Sequence, residues 1–301
     1  MSTYNTIKAL CSEIGCEYSN DVMLSARTSF KIGGKADLFV MPSDDDMLAA
    51  VISACKVNNV RTLILGKGSN LLVSDNGFRG VVISTEKLDE IKLIDETTIY
   101  CRSGASLSKL CRYALDNSLT GLEFAFGIPG TAGGAAYMNA GAYGGEMKDV
   151  LFRCDHICAD GKKGFFEGDE LDLSYRHSAY SKSDKTVTAL YIKLEKGDKT
   201  AIKAKMDDLM GRRRDKQPLE YPSAGSTFKR PEGYFAGALI EQSGLKGFKV
   251  GGAQVSEKHA GFVVNVGGAT AKDVIAVIDH CRKTVFADTG VILEPEVEIT
   301  E

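Results

Sequence analysis

The feature that most constrains this chain is a glycine-rich stretch between residues 127 and 145. It reads Gly-Ile-Pro-Gly-Thr-Ala-Gly-Gly-Ala over 127–135 and Asn-Ala-Gly-Ala-Tyr-Gly-Gly over 139–145. Paired glycines permit positive φ angles and let the backbone approach a bulky, phosphate-bearing ligand closely. The stretch is longer than an ordinary turn requires, and its small residues do not predict a packed amphipathic element. It therefore predicts a backbone surface for an extended cofactor, with a glycine-rich turn region as the alternative.

Charge and composition exclude several other classes of protein. The 301 residues include 37 Lys+Arg and 40 Asp+Glu, a net charge of −3, which is unlike a polycation that binds nucleic acid. With 44% hydrophobic and 26% charged residues the chain is of average globular composition. Residues 1–5 lack the features of a signal peptide, and no apolar run approaches the ~20 residues of a membrane span. We expect a soluble, cytoplasmic protein that binds neither nucleic acid nor membrane.

The cysteines do not suggest a disulfide framework or a metal site. None of the 8 cysteines forms C-x-x-C, and the 4 histidines lie far from any paired-Cys zinc spacing. Cys55, Cys111 and Cys281 fall on apolar faces of predicted helices, where cysteine acts as a small hydrophobic residue. We expect reduced, structural thiols and no metal ligands.

Hydrophobic periodicity predicts an α+β chain, and a chain of this length favours two or three subdomains. The pattern changes near residue 84, and a polar turn at 196–199 marks a second boundary. Ser43 with Asp46, and Thr270 with Asp273, have the spacing of capping boxes. The predicted helices start at these two boxes and also cover 106–117, 200–214 and 234–243; the predicted strands cover 36–41, 62–65, 71–73, 81–83, 151–159, 187–194, 248–255, 260–266, 291–293 and 297–299.

A short loop, Gly66-Lys67-Gly68-Ser69-Asn70-Leu71, follows the apolar strand 62–65. Such a loop presents backbone N–H groups and a serine hydroxyl to phosphate oxygens. It is not the Rossmann fingerprint, because Leu71 replaces the last glycine and the helical pattern precedes the loop. The loop by itself is equally consistent with a tight turn.

Three further motifs have both a chemical and a structural interpretation. Tyr175-Arg176-His177-Ser178 contains an arginine, whose guanidinium suits a planar carboxylate, although most arginines are surface charges. Ser226 lies in a proline-containing loop, 217–231, after the basic cluster 212–216. Those cations could polarise its hydroxyl or bind phosphate, but a solvated basic helix end is the alternative. Near the C-terminus, alternate glutamates share one face of a predicted strand and are ordinarily solvated; they are Glu294, Glu296 and Glu298.

Taken in order along the chain, these motifs resemble the UDP-N-acetylenolpyruvoylglucosamine reductase (MurB) family. The resemblance rests on the Gly-x-Gly-Ser-Asn loop, the glycine-rich stretch, Tyr-Arg-x-Ser, Gly-Ser-x-Phe-Lys-Arg-Pro and the closing Pro-Glu-Val. The segment 256–265 adds to the pattern, so that the resemblance extends over residues 28–300. The compact 175–200 region resembles the shorter type of the family (type II), which lacks an extra substrate-covering loop and leaves the contacts to uridine unassigned.

The resemblance implies an α+β fold with two subdomains of the p-cresol methylhydroxylase-like FAD-binding type, residues 1–83 and 84–198. A C-terminal substrate-binding domain would cover 199–301. The implied reaction is the NADPH-dependent, FAD-mediated reduction of UDP-N-acetylglucosamine enolpyruvate to UDP-N-acetylmuramate, a step of peptidoglycan biosynthesis. The implied partners are small molecules alone, with no obligate protein partner.

The resemblance also assigns roles to individual residues. Arg176, Ser226 and Glu296 would be catalytic, with Ser226 as the proton donor and Lys216 or Lys229 as its polarising cation. Noncovalent FAD would lie on the two glycine-rich loops, with the segment 28–34 nearby. The cofactor-binding residues would be Gly66, Lys67, Gly68, Ser69, Asn70, Leu71, Gly127, Ile128, Pro129, Gly130, Thr131, Gly133, Gly134, Ala135, Asn139, Gly141 and Tyr143. The substrate-binding residues would be Tyr175, Arg213, Lys216, Lys229 and Arg230.

Two other functions remain open at this point. Another FAD oxidoreductase of the same fold, such as an alcohol or sugar oxidase, would share the cofactor loops. Such enzymes often tether flavin through a His, Tyr or Cys, and neither loop here contains a histidine. A nucleotide-sugar binding module without redox activity is the second alternative, and it would purify without a yellow chromophore.

Overall fold

The structure, a computed structural model, describes residues 3–300 and mixes helices with mostly short strands, so the predicted α+β class is confirmed. The α-helices of the described residues are α1 (Thr3–Glu13), α2 (Asp45–Val57), α3 (Leu107–Asp116), α4 (Ala132–Tyr137), α5 (Lys199–Lys216), α6 (Ala236–Gln242) and α7 (Ala271–Thr289). Short 3-10 helices cover Leu24–Ala26, Glu123–Ala125, Met147–Asp149 and Gly168–Leu171.

The strands lie mainly between these helices. They are β1 (Glu17–Met23), β2 (Lys35–Met41), β3 (Thr62–Leu65), β4 (Leu71–Val73), β5 (Phe78–Ser84), β6 (Ile91–Leu93), β7 (Thr98–Arg102), β8 (Leu119–Thr120), β9 (Gly141–Ala142), β10 (Gly145–Glu146), β11 (Leu151–Ile157), β12 (Lys163–Glu167), β13 (Thr186–Lys193), β14 (Glu195–Lys196), β15 (Lys249–Val250), β16 (Ala253–Val255), β17 (Val263–Asn265) and β18 (Glu298–Thr300).

Two larger sheets and several small ones result. The five-stranded sheet has the order β12-β11-β13-β7-β6 and is antiparallel throughout. The four-stranded sheet has the order β1-β2-β5-β3, in which β3 and β5 are parallel. A three-stranded sheet, β15-β16-β17, is antiparallel, and β18 pairs with β4 in parallel, Glu298 opposite Leu71. The remaining two-stranded pairs are β10-β9 and β14-β8.

The chain divides into two compact units that are interleaved in sequence. The first unit holds the described residues up to Asn20, Leu38–Gly66 and Gly80–Arg212. It contains two apolar clusters, one between Ile7 and Ile157 around α2, and one between Ile99 and Met206 around α3 and the five-stranded sheet. Burial of such side chains contributes about 1.5–3 kcal/mol each.

The second unit holds Asp21–Asp37, Lys67–Arg79 and the described residues from Arg213 onward. Its single large apolar cluster includes Phe30 and Leu72 together with side chains of α6 and α7. The predicted division into residues 1–83, 84–198 and 199–301 stays a prediction.

Several local predictions are confirmed because side-chain caps and apolar periodicity act over short distances. Ser106 caps α3 by accepting a hydrogen bond from the Lys109 N–H at 3.2 Å. At α7, Thr270 Oγ1 accepts from the Asp273 N–H at 3.1 Å, and Asp273 Oδ2 accepts from the Thr270 N–H at 2.9 Å, as a capping box requires. The predicted inward face of α7 is buried throughout; it consists of Val274, Val277, Ile278, Cys281 and Val285.

Other local predictions are wrong. Asp44, not Ser43, caps α2, because the extended backbone at Asp44 lets its carboxylate accept from the Met47 N–H at 2.8 Å. Part of the glycine-rich stretch is helical, since α4 packs through small buried residues that periodicity analysis does not weigh.

Two predicted strands also differ from the structure. The strand 248–255 is a hairpin, because the backbone turns at Gly251, where φ is +52°. Residues 291–293 are not a strand, and the last strand begins only at Glu298. Hydrophobic periodicity did not predict α1, the N-terminal helix.

The thiols are free, and seven of the eight are buried. Cys55, Cys111 and Cys281 pack into the apolar clusters as predicted. Burial raises the pKa of each of these three thiols to about 12. Across residues 3–300, none of the helices combines the length and apolar character that a bilayer crossing demands.

Candidate active site

Part of the glycine-rich stretch, in the first unit, forms the short helix α4. Thr131 caps this helix, its Oγ1 accepting from the Gly134 N–H at 3.3 Å. The first two backbone N–H groups of the helix are also bound within the chain. The Ala132 N–H donates to the Ala105 carbonyl at 2.8 Å, and the Gly133 N–H donates to the Ser103 carbonyl at 2.8 Å. The first turn of α4 is therefore held rigidly against the segment that precedes α3.

Adjacent glycines of α4 have different surroundings. A Cβ on Gly133 would lie 2.7 Å from the Ser103 Cβ, so this glycine is required for packing. Gly134 is exposed, and a Cβ there would meet only Thr131 Oγ1, at 3.5 Å, an ordinary contact. The protein itself therefore leaves room for a side chain at Gly134, and the bare backbone there is available for the close approach of a flat ligand.

Ser103 is a polar group that the motif analysis missed. Its side chain is 1% exposed, and within residues 3–300 its hydroxyl has no hydrogen-bond partner. Buried hydroxyl groups ordinarily have a partner. The orphaned hydroxyl of Ser103, beside Gly133 at the start of α4, fits a polar cofactor. No sequence motif marks this serine, since its position depends on the packing of α4.

The loop 66–71 begins beside the glycine-rich stretch. A Cβ on Gly66 would lie 2.5 Å from Thr131 Oγ1, so the two predicted cofactor segments are brought together at this point of the first unit. Glycine is needed here because any side chain would displace the α4 cap.

The rest of this loop, residues 67–71, belongs to the second unit. Gly68 has a φ of +56°, and a Cβ there would lie 2.8 Å from the Arg27 carbonyl oxygen. Its carbonyl accepts from the Ser29 N–H at 3.1 Å, which connects the loop with the segment 28–34. Asn70 donates its side-chain N–H to the Glu296 carbonyl at 3.0 Å.

Other predicted cofactor residues differ in exposure. Pro129 and Tyr143 are exposed, and Tyr143 has a φ of +55°. Asn139 is fully buried, and its side chain binds the protein: Nδ2 donates to Glu146 Oε2 at 2.7 Å and to the Ser174 carbonyl at 3.0 Å, and Oδ1 accepts from the Lys148 N–H at 2.9 Å. The remaining ones are Lys67, exposed; Ser69, Gly127, Ile128, Gly130 and Gly141, half-buried; and Leu71 and Ala135, buried.

Arg176 lies at the tip of a tight hairpin in the first unit. Ser174 and His177 exchange backbone hydrogen bonds, each of 3.1 Å, across the turn. Arg176 has a φ of +55°, an unfavourable angle for a residue with a Cβ that is frequent at functional sites. Its guanidinium lies 5.0 Å from the centre of the exposed Tyr175 ring. The Asn139 contact to Ser174 anchors this hairpin to the glycine-rich stretch.

Ser226 and Glu296 lie on paired segments of the second unit. Their segments run antiparallel: the Glu296 N–H donates to the Thr227 carbonyl at 2.8 Å, and the Lys229 N–H donates to the Glu294 carbonyl at 2.9 Å. Both Ser226 and Glu296 are half-buried. A hydroxyl and a carboxyl group from distant parts of the sequence are thus held on neighbouring extended segments.

His259 supports the Ser226 segment from the other side. The Gly261 N–H donates to His259 Nδ1 at 3.1 Å, and the Gly261 carbonyl accepts from the Thr227 N–H at 2.8 Å. Burial lowers the pKa of His259. The ring is therefore in the neutral form, which an accepting Nδ1 requires.

The predicted substrate-binding cations have different surroundings. Arg213 is 5% exposed and donates to Gln217 Oε1 at 3.1 Å, whereas Lys216 ends α5 with an exposed side chain. Lys229 pairs with Glu294 at 3.6 Å, and the Arg230 guanidinium lies 4.8 Å from the centre of the exposed Phe235 ring.

Family models match the chain in two places. Residues 36–163 match the FAD binding domain, and residues 217–300 match the UDP-N-acetylenolpyruvoylglucosamine reductase C-terminal domain. These matches confirm the predicted FAD-binding fold with a C-terminal domain of the reductase type.

Whole-chain comparisons agree. A UDP-N-acetylenolpyruvoylglucosamine reductase of Clostridium novyi is 51% identical over 283 residues, covering 94% of this chain and 92% of that protein. The crystal structure of the reductase (MurB) from Thermus caldophilus has a TM-score of 0.81 at 33% identity, covering 95% of this chain and 99% of that one. Phl p 4.0202, a glucose dehydrogenase, has a TM-score of 0.53 at 16% identity over 66% of this chain and 45% of that one, a likeness of fold alone.

Proposed function

Because this chain belongs to the UDP-N-acetylenolpyruvoylglucosamine reductase family, we propose that it reduces UDP-N-acetylglucosamine enolpyruvate to UDP-N-acetylmuramate, with NADPH as hydride donor. It is an FAD-containing oxidoreductase of peptidoglycan biosynthesis. The observation that carries this conclusion is the 51% identity over 94% of the chain, together with the two family matches. The likeness to a glucose dehydrogenase, at 16% identity, gives no comparable support to the sugar oxidase alternative.

We assign FAD to the loops 66–71 and 127–145, held without a covalent bond. The exposed, side-chain-free surface of Gly134 supports this assignment, as does the orphaned hydroxyl of Ser103, which we add to the predicted set. The amides of Gly133 and Gly134 are bound within the chain, so the glycine surface provides close approach for a flat group and the Ser103 hydroxyl provides a hydrogen-bond donor. When bound, FAD supplies the hydride that adds to the terminal carbon of the enolpyruvyl group.

We assign Arg176 to the substrate carboxylate. Negative charge develops on the carbon next to the carboxylate and delocalises into it, so a planar cation there stabilises the transition state more than the ground state. The guanidinium can contact both carboxylate oxygens in a bidentate manner. The left-handed backbone angle of Arg176 at a hairpin tip supports the assignment, because strain of this kind persists where the surroundings enforce it.

We assign Ser226 as the group that protonates the developing carbanion. We assign Glu296, in its protonated form, as a second group that binds the substrate carboxylate together with Arg176. Their neighbouring extended segments support a joint role. A serine hydroxyl is a weak acid, so a nearby cation must stabilise the alkoxide that remains. Since Lys229 is paired with Glu294, we favour Lys216 for that task.

The remaining assignments concern the substrate and the organisation of the chain. We propose that Tyr175 and the cations 213, 216, 229 and 230 bind the substrate, the cations at its diphosphate. We propose a functional division near residues 83 and 198, with the segments 21–37 and 67–79 joining the C-terminal part. The separate apolar clusters around α2 and α3 support the first boundary, whereas Ile202 and Met206 of α5 pack into the α3 cluster. We further propose that the enzyme works in the cytoplasm on small molecules alone, without nucleic acid, membrane or an obligate protein partner.

The first test is the visible spectrum of the purified protein. Oxidised flavin bands that are released by heat or acid would establish noncovalent FAD. A colourless protein that stays so after FAD is offered would instead point to a nucleotide-sugar binding module. Turnover of alcohols or sugars with O₂, in place of the enolpyruvyl sugar, would favour an oxidase.

The second test separates the half-reactions with Ser226→Ala. Reduction of the flavin by NADPH needs no proton at the substrate carbon, so its stopped-flow rate should stay near that of the wild type. Reoxidation by the enolpyruvyl sugar should slow by roughly 10²–10⁴, the usual cost of losing a positioned general acid. Ser226→Cys should recover part of the loss, because a thiol is more acidic.

A matched control for this test is Ser243→Ala, since within the described residues the Ser243 hydroxyl has no hydrogen-bond partner. This variant should keep both rates. If Ser226→Ala only weakened substrate binding, the reoxidation rate at saturating substrate would equal that of the wild type, and the proton-donor assignment would be wrong.

A further inference from the structure

Two side chains connect the loop 67–71 with the two segments that hold Ser226 and Glu296. The first is Ser29. Its N–H donates to the Gly68 carbonyl at 3.1 Å, and its hydroxyl donates to the Ser223 carbonyl at 2.7 Å, with the Gly68 carbonyl 3.3 Å away. One residue thus joins the loop to the start of the Ser223–Ser226 segment, three positions before the assigned proton donor.

The second connection is Asn70. Its side-chain N–H donates to the Glu296 carbonyl at 3.0 Å, and its own carbonyl accepts from the Glu298 N–H at 3.0 Å. The parallel pairing of β4 with β18 continues this connection, with Leu71 opposite Glu298. Asn70 therefore fixes the backbone on both sides of Val297 relative to the loop.

The two tied segments are also bonded to each other. The Glu296 N–H donates to the Thr227 carbonyl at 2.8 Å, and Phe228 pairs with Pro295. The loop, the Ser226 segment and the Glu296 segment consequently form a closed frame of hydrogen bonds within the second unit. In this frame the Asn70 side chain reaches from the loop to the Glu296 segment, and the Ser29 side chain bridges the loop and the Ser226 segment.

We propose that Ser29 and Asn70 are positioning residues that fix Ser226 and Glu296 relative to the bound cofactor. The proposal rests on the proposed function, in which the loop 67–71 binds FAD and these two residues serve the reduction of the enolpyruvyl group. Neither side chain needs to touch substrate. Each acts through a backbone carbonyl of a catalytic segment.

The physical reason is the steep dependence of catalysis on geometry. Proton delivery and charge stabilisation require reacting atoms within about 3–3.5 Å of each other, and a displacement of ~1 Å can cost roughly 10²-fold in rate. Hydrogen bonds from the cofactor loop to both segments make the positions of Ser226 and Glu296 depend on the order of that loop. Cofactor binding should therefore order both catalytic segments before the substrate arrives.

The first experiment measures amide hydrogen exchange with and without FAD. In the wild type, FAD should slow exchange in both segments, 223–228 and 294–298. Ser29→Ala keeps the N–H bond to Gly68 and loses the hydroxyl bond to Ser223, so it should reduce the FAD-dependent protection of 223–228 more than that of 294–298. Asn70→Ala should show the opposite pattern. The control Ser243→Ala should match the wild type in both segments.

The second experiment measures the half-reactions of the same variants. A hydrogen bond of this kind contributes a factor of roughly 5–10 in an equilibrium, so reoxidation at saturating enolpyruvyl sugar should fall by about that factor in each variant. Ser29 lies outside the assigned cofactor-binding residues, so Ser29→Ala should keep a flavin reduction rate near that of the wild type. Ser29→Thr retains the hydroxyl and should restore reoxidation. Asn70→Asp places an acceptor against the Glu296 carbonyl and should be slower than Asn70→Ala.

The outcomes separate the two levels of inference. Unchanged FAD-dependent protection in both alanine variants, or reoxidation within twofold of the wild type, would overturn the positioning roles. If the wild type were not reoxidised by the enolpyruvyl sugar but the exchange pattern held, the substrate assignment would fail and the coupling would stand. Should Ser29→Ala not fold, the contrast of Ser29→Thr with Asn70→Asp carries the same test.

Discussion

Gly134→Ala should have opposite effects on the flavin-free protein and on the holoenzyme. Gly134 is an exposed residue inside the 6-residue helix α4, and its φ angle is not positive. A Cβ there would meet only Thr131 Oγ1 at 3.5 Å. Replacing glycine by alanine at such a helix position stabilises a protein by about 0.5–1 kcal/mol. The flavin-free variant should therefore be more stable than the flavin-free wild type.

Bound FAD should reverse the effect of Gly134→Ala on stability. If the backbone at Gly134 contacts FAD, the added methyl group occupies the space of the ligand, and the affinity for FAD should fall by at least tenfold, or about 1.4 kcal/mol. That loss exceeds the gain in helix propensity. The melting temperature of the holoenzyme should then fall while that of the flavin-free protein rises by about 1–4 °C. Gly134→Val should lose more flavin, because its side chain is larger.

The assay combines flavin fluorescence titration with thermal unfolding of both forms. Gly211→Ala is the matched control: Gly211 lies within α5, and a Cβ there would meet nothing within 4 Å. This control should stabilise both forms equally and keep the affinity for FAD. An equal gain in both forms of Gly134→Ala, with unchanged affinity, would refute the placement of FAD at this glycine.

Three further predictions concern Arg176, Asn139 and His259. Arg176→Lys keeps the charge but loses the planar fork, so turnover of the enolpyruvyl substrate should drop while NADPH oxidation with an artificial acceptor persists; equal loss of both activities would indicate misfolding. Asn139→Ala removes three hydrogen bonds of a buried side chain and should lower the free energy of unfolding by about 2–4 kcal/mol, measured by denaturant titration; an unchanged value would contradict the anchoring role of Asn139. Because burial lowers the pKa of His259, the unfolded chain takes up its proton first as the pH falls, and stability should decrease below the ordinary histidine pKa of about 6.5. His259→Gln should lose less stability than the wild type between pH 7 and pH 5, and equal losses would remove His259 as the cause.

The sequence by itself determined the family, the α+β class and most of the helices and strands. It could do so because these depend on local patterns: the capping box at Thr270, the apolar spacing along α7, and glycine where the backbone adopts a positive φ, as at Gly68. Residues whose chemistry is intrinsic to their type, such as the guanidinium of Arg176, could also be proposed from the motifs alone.

Only the tertiary structure decided which of these residues work together. Ser29 and Ser223 are 194 positions apart, and Asn70 and Glu296 are 226 apart, yet each pair shares a hydrogen bond. Neither contact has a periodicity or a spacing that a sequence could reveal. The orphaned hydroxyl of Ser103 and the buried amide of Asn139 likewise depend on how α4 packs against its neighbours. Local conformational propensity depends on short stretches of sequence, whereas contacts between distant residues form only when the chain folds and its apolar core packs.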